Sequence, residues 1–140
     1  MTYDPGNVFA RILRGELPCA KIAEDEHTLS FMDIMPSTKG HCLVIPKEAA
    51  ATLFDLSPGA ACRLMLAAQR VAKAVRKAVA CPGVMLVQLN GSAAGQSVPH
   101  IHIHVVPRVH GLDLTLHGRA QAPLPELEAL AIRIRQELEP

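Results

Sequence analysis

The sequence has no tryptophan, one tyrosine and three phenylalanines in 140 residues. So few aromatics exclude the base-stacking platforms on which single-strand nucleic-acid binders rely. It also lacks a charge excess: fourteen Lys and Arg stand against thirteen Asp and Glu, a formal charge of +1. That balance excludes nucleic-acid binding by bulk positive charge and gives no support to a polybasic membrane anchor. No apolar run approaches the roughly 18 to 20 residues that a membrane span needs. The first residues, Met1 to Asn7, are polar and acidic, unlike a signal peptide. These absences predict a soluble, cytoplasmic protein that binds neither membrane nor nucleic acid. Paired cysteines are missing too: Cys19, Cys42, Cys62 and Cys81 stand singly with no C-x-x-C. They read as reduced core residues, not as a disulfide framework or a cysteine zinc site.

What is present is an apolar fraction of 49% with 19% charged residues, a globular composition. At this length the chain predicts one domain, residues 1–140. Asn7 caps a short helix with Val8, Phe9, Ile12 and Leu13 on one face, ended by Gly15. Lys21 to Asp25 and Thr28 to Ile34 read as strands about a turn at Glu26 and His27. Met35 to Gly40 is a loop, and His41 to Ile45 a third strand closed by Pro46. Ser57-Pro58 opens a long helix with Leu64, Ala68, Val71, Val75 and Val79 at helical spacing. Its basic residues read as a solvated face. Val84 to Leu89 is a continuous apolar strand, Asn90 to Ser97 a polar loop and His100 to Val106 a further strand. Arg108 to Pro123 has no clear period, and Pro125 opens a last helix with Leu127, Leu130, Ala131, Ile134 and Leu138 on one face. Consecutive strands with helices inserted predict an α+β domain: a mainly antiparallel five-stranded sheet with helices packed on it.

The chemistry concentrates in His100-Ile101-His102-Ile103-His104-Val105-Val106. Alternate side chains of a strand share a face, so Ile101, Ile103 and Val105 enter the core while the three histidines line the opposite face. Next-but-one imidazoles then sit roughly 6.6 Å apart, room for a phosphate-sized group. A plain solvated strand face would carry Thr, Lys, Glu or Ser instead. Metal binding competes, because neutral imidazole is a common ligand. Three ligands at period two are nevertheless too linear for a tetrahedral ion, and no neighbouring carboxylate pattern completes a site. The loop Asn90-Gly91-Ser92-Ala93-Ala94-Gly95-Gln96-Ser97 delivers glycines, an amide and hydroxyls directly into the histidine strand. That composition suits an anion and points to phosphoryl chemistry. Asp33 by itself reads as a strand-end turn residue.

Gly95-Gln96-Ser97-Val98-Pro99-His100-Ile101-His102-Ile103-His104-Val105-Val106-Pro107-Arg108 resembles the signature of the histidine triad superfamily, His-φ-His-φ-His-φ-φ with φ apolar. Phe9-Ala10-Arg11-Ile12, Arg14-Gly15-Glu16, Phe31-Met32-Asp33-Ile34 and Gly40-His41-Cys42-Leu43-Val44-Ile45-Pro46-Lys47 extend the resemblance from about residue 7 to 108. They are similar to its Hint-like nucleoside phosphoramidase branch. The resemblance implies a HIT-like fold and a nucleotidyl hydrolase or transferase that works through a covalent nucleotidyl-histidine. His102 would attack the α-phosphate, His104 would lie against phosphate and leaving group, and His100 and His41 would complete the imidazole network. Ser97 and Gln96 would hold or protonate there, with Asn90 beside them and Gly95 and Val98 in the same substrate-binding loop. Asp33 would grip the ribose hydroxyls, and Phe9, Ile12, Phe31, Ile34 and Leu43 would form the base pocket. The implied substrate is a purine nucleotide, the implied assembly a homodimer with joined sheets, and no cofactor is implied. Some bacterial members carry N-terminal cysteines for a structural zinc; Asp4 to Phe9 holds none, so no metal is expected. Val-Val-Pro-Arg after His104 also resembles the dinucleoside polyphosphate hydrolases, which leaves amine and nucleotide both open as leaving group. A catalytically idle nucleotide-binding module is the alternative from another class.

Overall fold

The computed structural model describes residues 1–111 and 120–140. Part of the aperiodic stretch after Arg108, residues 112–119, therefore lies outside the described residues. The elements run α1 (Val8–Leu13), β1 (Lys21–Glu24), β2 (Thr28–Met32), β3 (Cys42–Pro46), α2 (Pro58–Ala78), β4 (Gly83–Gln88), a 3₁₀ turn (Ser92–Ala94), β5 (Ile103–Arg108) and α3 (Leu124–Gln136). The strands form one five-stranded sheet in the order β1-β2-β3-β5-β4, every neighbouring pair antiparallel. This is the α+β sheet that the pattern predicts; β1 and β2 end one and two residues early, β3 and β4 are each displaced by one residue, and β5 starts three residues late and continues through Pro107 to Arg108.

Local signals start both early helices. The Asn7 side chain accepts from Ala10 N–H, and the Ser57 side chain accepts from Ala60 N–H ahead of Pro58. Strand alternation then divides the sheet. Met32, Cys42, Val44, Ile103 and Val105 face α2 and α3 and join Leu64, Val71, Val75, Leu130 and Ile134 in the main core. Leu29, Phe31, Leu43 and Ile45 face the other way, where Phe9 of α1 covers them. Register carries that second face across the sheet in one row: Phe31 opposite Leu43, Leu43 opposite His104, His104 opposite Val87.

Three expectations change. His100, Ile101 and His102 precede the β5 ladder, because Ile101 N–H is given to Ala50 O at 2.9 Å instead of to a neighbouring strand. The apolar strand β4 is only half-buried because it is the sheet's edge, with Leu86 exposed. Cys42 and Cys81 are core residues, whereas Cys62 is exposed on α2 and Cys19 half-buried.

Gly40 turns the chain into His41 with φ +93°, a conformation that side chains strain to adopt. A Cβ there would also meet Pro107 Cγ and Val79 Cγ1, each at 3.0 Å. Gly40→Ala should therefore cost about 2–3 kcal/mol of stability. Urea unfolding should show a lower midpoint at unchanged slope.

Candidate active site

All four histidines named for the site are buried, and so is Asp33. The hydrogen-bond partners dictate which ring nitrogens bear protons. His41 Nδ1 accepts from Ser37 N–H at 3.0 Å, so the neutral ring carries its proton on Nε2. That Nε2 lies 2.9 Å from His104 Nδ1 and 3.3 Å from Asp33 Oδ2. With Nδ1 of His104 accepting, its Nε2 is the protonated nitrogen. His102 donates from Nδ1 to the His100 carbonyl at 2.7 Å, which places the lone pair on Nε2. His100 Nε2 donates to Pro46 O at 2.8 Å.

The rings do not follow the even spacing of an extended strand. His102 and His104 are neighbours, with centroids 5.0 Å apart at a steep angle. His102 also meets the Phe9 ring, with centroids 4.9 Å apart. The His100 imidazole turns toward Tyr3 Oη, 3.0 Å from its Nδ1. His102 thus packs against one imidazole and one phenyl ring, and residues 100–102 stand ahead of the ladder.

A cavity of about 610 Å³ opens over this face, a size typical of small-molecule sites. His102, His104, Asp33 and Ser97 stand at its polar end. Phe9, Ile12, Phe31, Ile34, Leu43 and Val98 supply apolar wall. Asn90, Gly95 and Gln96 do not line the cavity. Gln96 spends its amide on Ala51 O (2.6 Å), Val98 O (2.8 Å) and Gly91 N–H (2.7 Å). Asn90 Oδ1 accepts from Leu53 N–H and Gln88, and Gly95 N–H closes the 3₁₀ turn onto Ser92 O. These three hold the loop that presents Ser97 and Val98.

Residues that pattern reasoning missed include Leu17, Cys19 and Met35, together with Leu124 and Leu127 of α3, which also line the cavity. Ala122 N–H bonds to Ile34 O at 3.0 Å and so ties the entry to α3 onto the rim. The helical spacing of Leu127 signals burial without saying against what. Asp33 is more tightly held than a ribose ligand alone requires: Oδ1 accepts from Met35 N–H at 2.8 Å, while Oδ2 faces His41.

Asp33, His41 and His104 bring three potential metal-ligand atoms within 4.8 Å of one another. The 2.9 Å between His41 Nε2 and His104 Nδ1 is a hydrogen-bond distance. Two nitrogens on one tetrahedral zinc stand roughly 3.3 Å apart, from bonds of about 2.0–2.1 Å. Cysteine chemistry does not compete: burial pushes both the Cys42 and the Cys19 thiols above their ordinary value.

Burial lowers the pKa of His100 below its usual 6.5, with the Pro46 carbonyl opposing. A group whose folded pKa is depressed contributes stability that is present above its unfolded pKa. That stability is lost as pH falls from about 6.5 toward the folded value. The His100 ring protons should titrate below 6.5 by NMR, and unfolding free energy should fall across that window less steeply in His100→Asn.

A HIT domain family model matches residues 14–111. A HIT-like protein of Azospirillum brasilense is 48% identical over 108 residues, 74% of this chain and 87% of that protein. The Schizosaccharomyces pombe protein named adenosine 5'-monophosphoramidase is 40% identical over 101 residues, 72% of this chain and 73% of its own. Among solved structures, a Hit-like protein from Bartonella henselae superposes with a TM-score of 0.92 at 38% identity, covering 99% of this chain and all of its own.

Proposed function

The chain belongs to the HIT family, and from that premise we propose that it hydrolyses purine nucleoside 5'-phosphoramidates through a nucleotidyl adduct on His102. The observation that carries the reading is the 2.7 Å hydrogen bond from His102 Nδ1–H to the His100 carbonyl. It fixes the tautomer whose Nε2 lone pair is nucleophilic, on a ring that lines the cavity beside Ser97, His104 and Asp33. The name borne by the fission-yeast relative supports the same reaction class.

In the first step Nε2 of His102 bonds to the α-phosphorus, the P–N bond to the leaving amine breaks, and the amine takes a proton. His104 Nε2–H donates to the phosphoryl group and its leaving atom, with His41 and Asp33 behind it to adjust the proton on the shared nitrogen. Ser97 adds a hydroxyl at the same end. Water then attacks phosphorus, the P–Nε2 bond breaks, and the nucleoside monophosphate leaves. Asp33 Oδ2 retains a lone pair for a ribose hydroxyl. The base lies among Phe9, Ile12, Phe31, Ile34 and Leu43, with Val98 at the boundary. His100 supports His102 without touching the phosphate.

His102→Ala should abolish turnover of adenosine 5'-phosphoramidate while AMP still binds. Mass spectrometry at neutral or alkaline pH should find the adduct on His102 of the wild type. A variant keeping more than a few per cent of activity, or an adduct elsewhere, sinks the assignment. Measurable turnover that disappears with His102 excludes an idle binding module. Diadenosine polyphosphates, the rival substrates, should react at least tenfold more slowly, about 1.4 kcal/mol in the barrier. Asp33→Asn should slow both ribose and 2'-deoxyribose substrates through His41, and the ribose substrate by more, so that the preference for ribose falls. An unchanged preference removes Asp33 from the sugar.

We also infer a homodimer. Half-buried β4 forms one edge of the sheet with Leu86 exposed, and α2 exposes Met65 and Leu66. A long apolar edge strand invites pairing with a second copy. Sedimentation at micromolar concentration should give about twice the 15.0 kDa chain mass; the chain mass itself would overturn the inference.

A further inference from the structure

We propose that Tyr3 is a positioning residue of this site: its phenol clamps the His100 imidazole and, through the His100 main chain, the proton-bearing nitrogen of His102. The kinetic consequence rests on the hydrolase reading above; the geometry does not.

The His100 ring is fully buried, so both its nitrogens need partners. Nε2 faces Pro46 O at 2.8 Å, and a carbonyl only accepts. The neutral ring therefore carries its proton on Nε2, and Nδ1 must accept. Its donor is Tyr3 Oη–H at 3.0 Å. Two rings box the imidazole, Tyr3 with centroids 5.5 Å away and Phe9 at 6.4 Å. The same residue's carbonyl receives the Nδ1 proton of His102 at 2.7 Å. Ile101 N–H bonded to Ala50 O pins the backbone immediately after that carbonyl. The His100 ring and the His102 tautomer are thus set by one short stretch of chain, which Tyr3 holds from outside the sheet.

A segment ahead of a short helix frays unless it is tied. Here Asp4 makes a hook: its carbonyl accepts from Asn7 N–H at 3.0 Å and Asn7 Nδ2 at 2.7 Å, and its carboxylate accepts from Gly6 N–H at 2.8 Å. Arg14 Nη1 adds a bond to Pro5 O at 2.8 Å, on the far side of α1. Asn7 in turn caps α1, the helix that carries Phe9 against His102. The hook therefore places Tyr3 and Phe9 as one unit. If the phenol is removed, Nδ1 of His100 becomes a buried acceptor without its donor, and the ring must turn or admit water to satisfy it. Either shift disturbs residue 100's carbonyl and lets the His102 proton move to Nε2, which is the nitrogen the reaction needs bare.

The test uses the full chain with ¹⁵N-labelled histidine, wild type and Tyr3→Phe, the latter keeping the ring and losing only the hydroxyl. Long-range ¹H–¹⁵N spectra report which nitrogen of each imidazole bears the proton. In Tyr3→Phe the His100 Nδ1 resonance should move and the Nε2–H fraction of His102 should rise. With adenosine 5'-phosphoramidate, kcat should fall roughly three- to tenfold, the effect of one hydrogen bond, while KM changes less than about twofold. Asp4→Ala, which loosens the hook and leaves the phenol, should shift the His102 tautomer in the same direction by less. A His102 tautomer unchanged in both variants overturns the proposal, and so does a lowered kcat with that tautomer unchanged. A wild type that does not turn over the phosphoramidate removes the hydrolase reading instead, and the spectra still decide the role of Tyr3.

Discussion

Four imidazoles can be buried within one short stretch of a site only if their ring nitrogens find partners and few of them carry a second proton. Desolvation penalises each added charge, and each unpartnered nitrogen costs about 1–3 kcal/mol. The chain meets this with main-chain groups drawn from separate places: Ser37 N–H from the loop after β2, Pro46 O from the end of β3, and the His100 carbonyl ahead of β5. Asp33 supplies a buried carboxylate beside His41. The loops around the site are shaped by that requirement. Gly40 lets the chain reverse into His41, and Gln96 is consumed in holding the approach to His100 instead of facing the cavity.

The two-faced sheet makes this affordable. One face, packed by α2 and α3, is an ordinary aliphatic core built from alternate residues of β2, β3 and β5. The other carries Phe31, Leu43 and His104 side by side, so an apolar wall and a reactive imidazole are adjacent positions of one cross-strand row. The cavity also runs past the 14–111 segment that the HIT model matches: Leu124 and Leu127 reach it from α3. Phe9 and Ile12 of α1 do the same from ahead of that segment, so the wall is closed by helices on both sides of the matched strands.

Period-two alternation made the facing of His104 legible in the sequence, whereas Phe31 and Leu43 entered the site only through the family resemblance, and the register that lines the three up was not readable. The caps at Asn7 and Ser57 and the apolar stripe of α2 were legible as well. Legibility ended where a residue's partner lies far along the chain. Nothing in His100-Ile101-His102 reveals that Ile101 will give its N–H to Ala50 and break the ladder. A glutamine in a glycine-containing loop has the same composition whether its amide points at a ligand or, as Gln96 does, back into the loop. Leu127 at helical spacing reads as core, though it also faces the cavity. The single tyrosine, 97 positions from the histidine it touches, sits in a stretch that carries no pattern at all.

Aromatic scarcity has an optical consequence. With no tryptophan and a single tyrosine, near-ultraviolet emission from the folded chain arises from one phenol. That phenol donates to a buried imidazole nitrogen 3.0 Å away, and such an acceptor quenches it by taking its proton in the excited state. The chain's intrinsic fluorescence is therefore a single-site reporter: dim when the histidine cluster is assembled, brighter as Tyr3 leaves His100, and readable without any label.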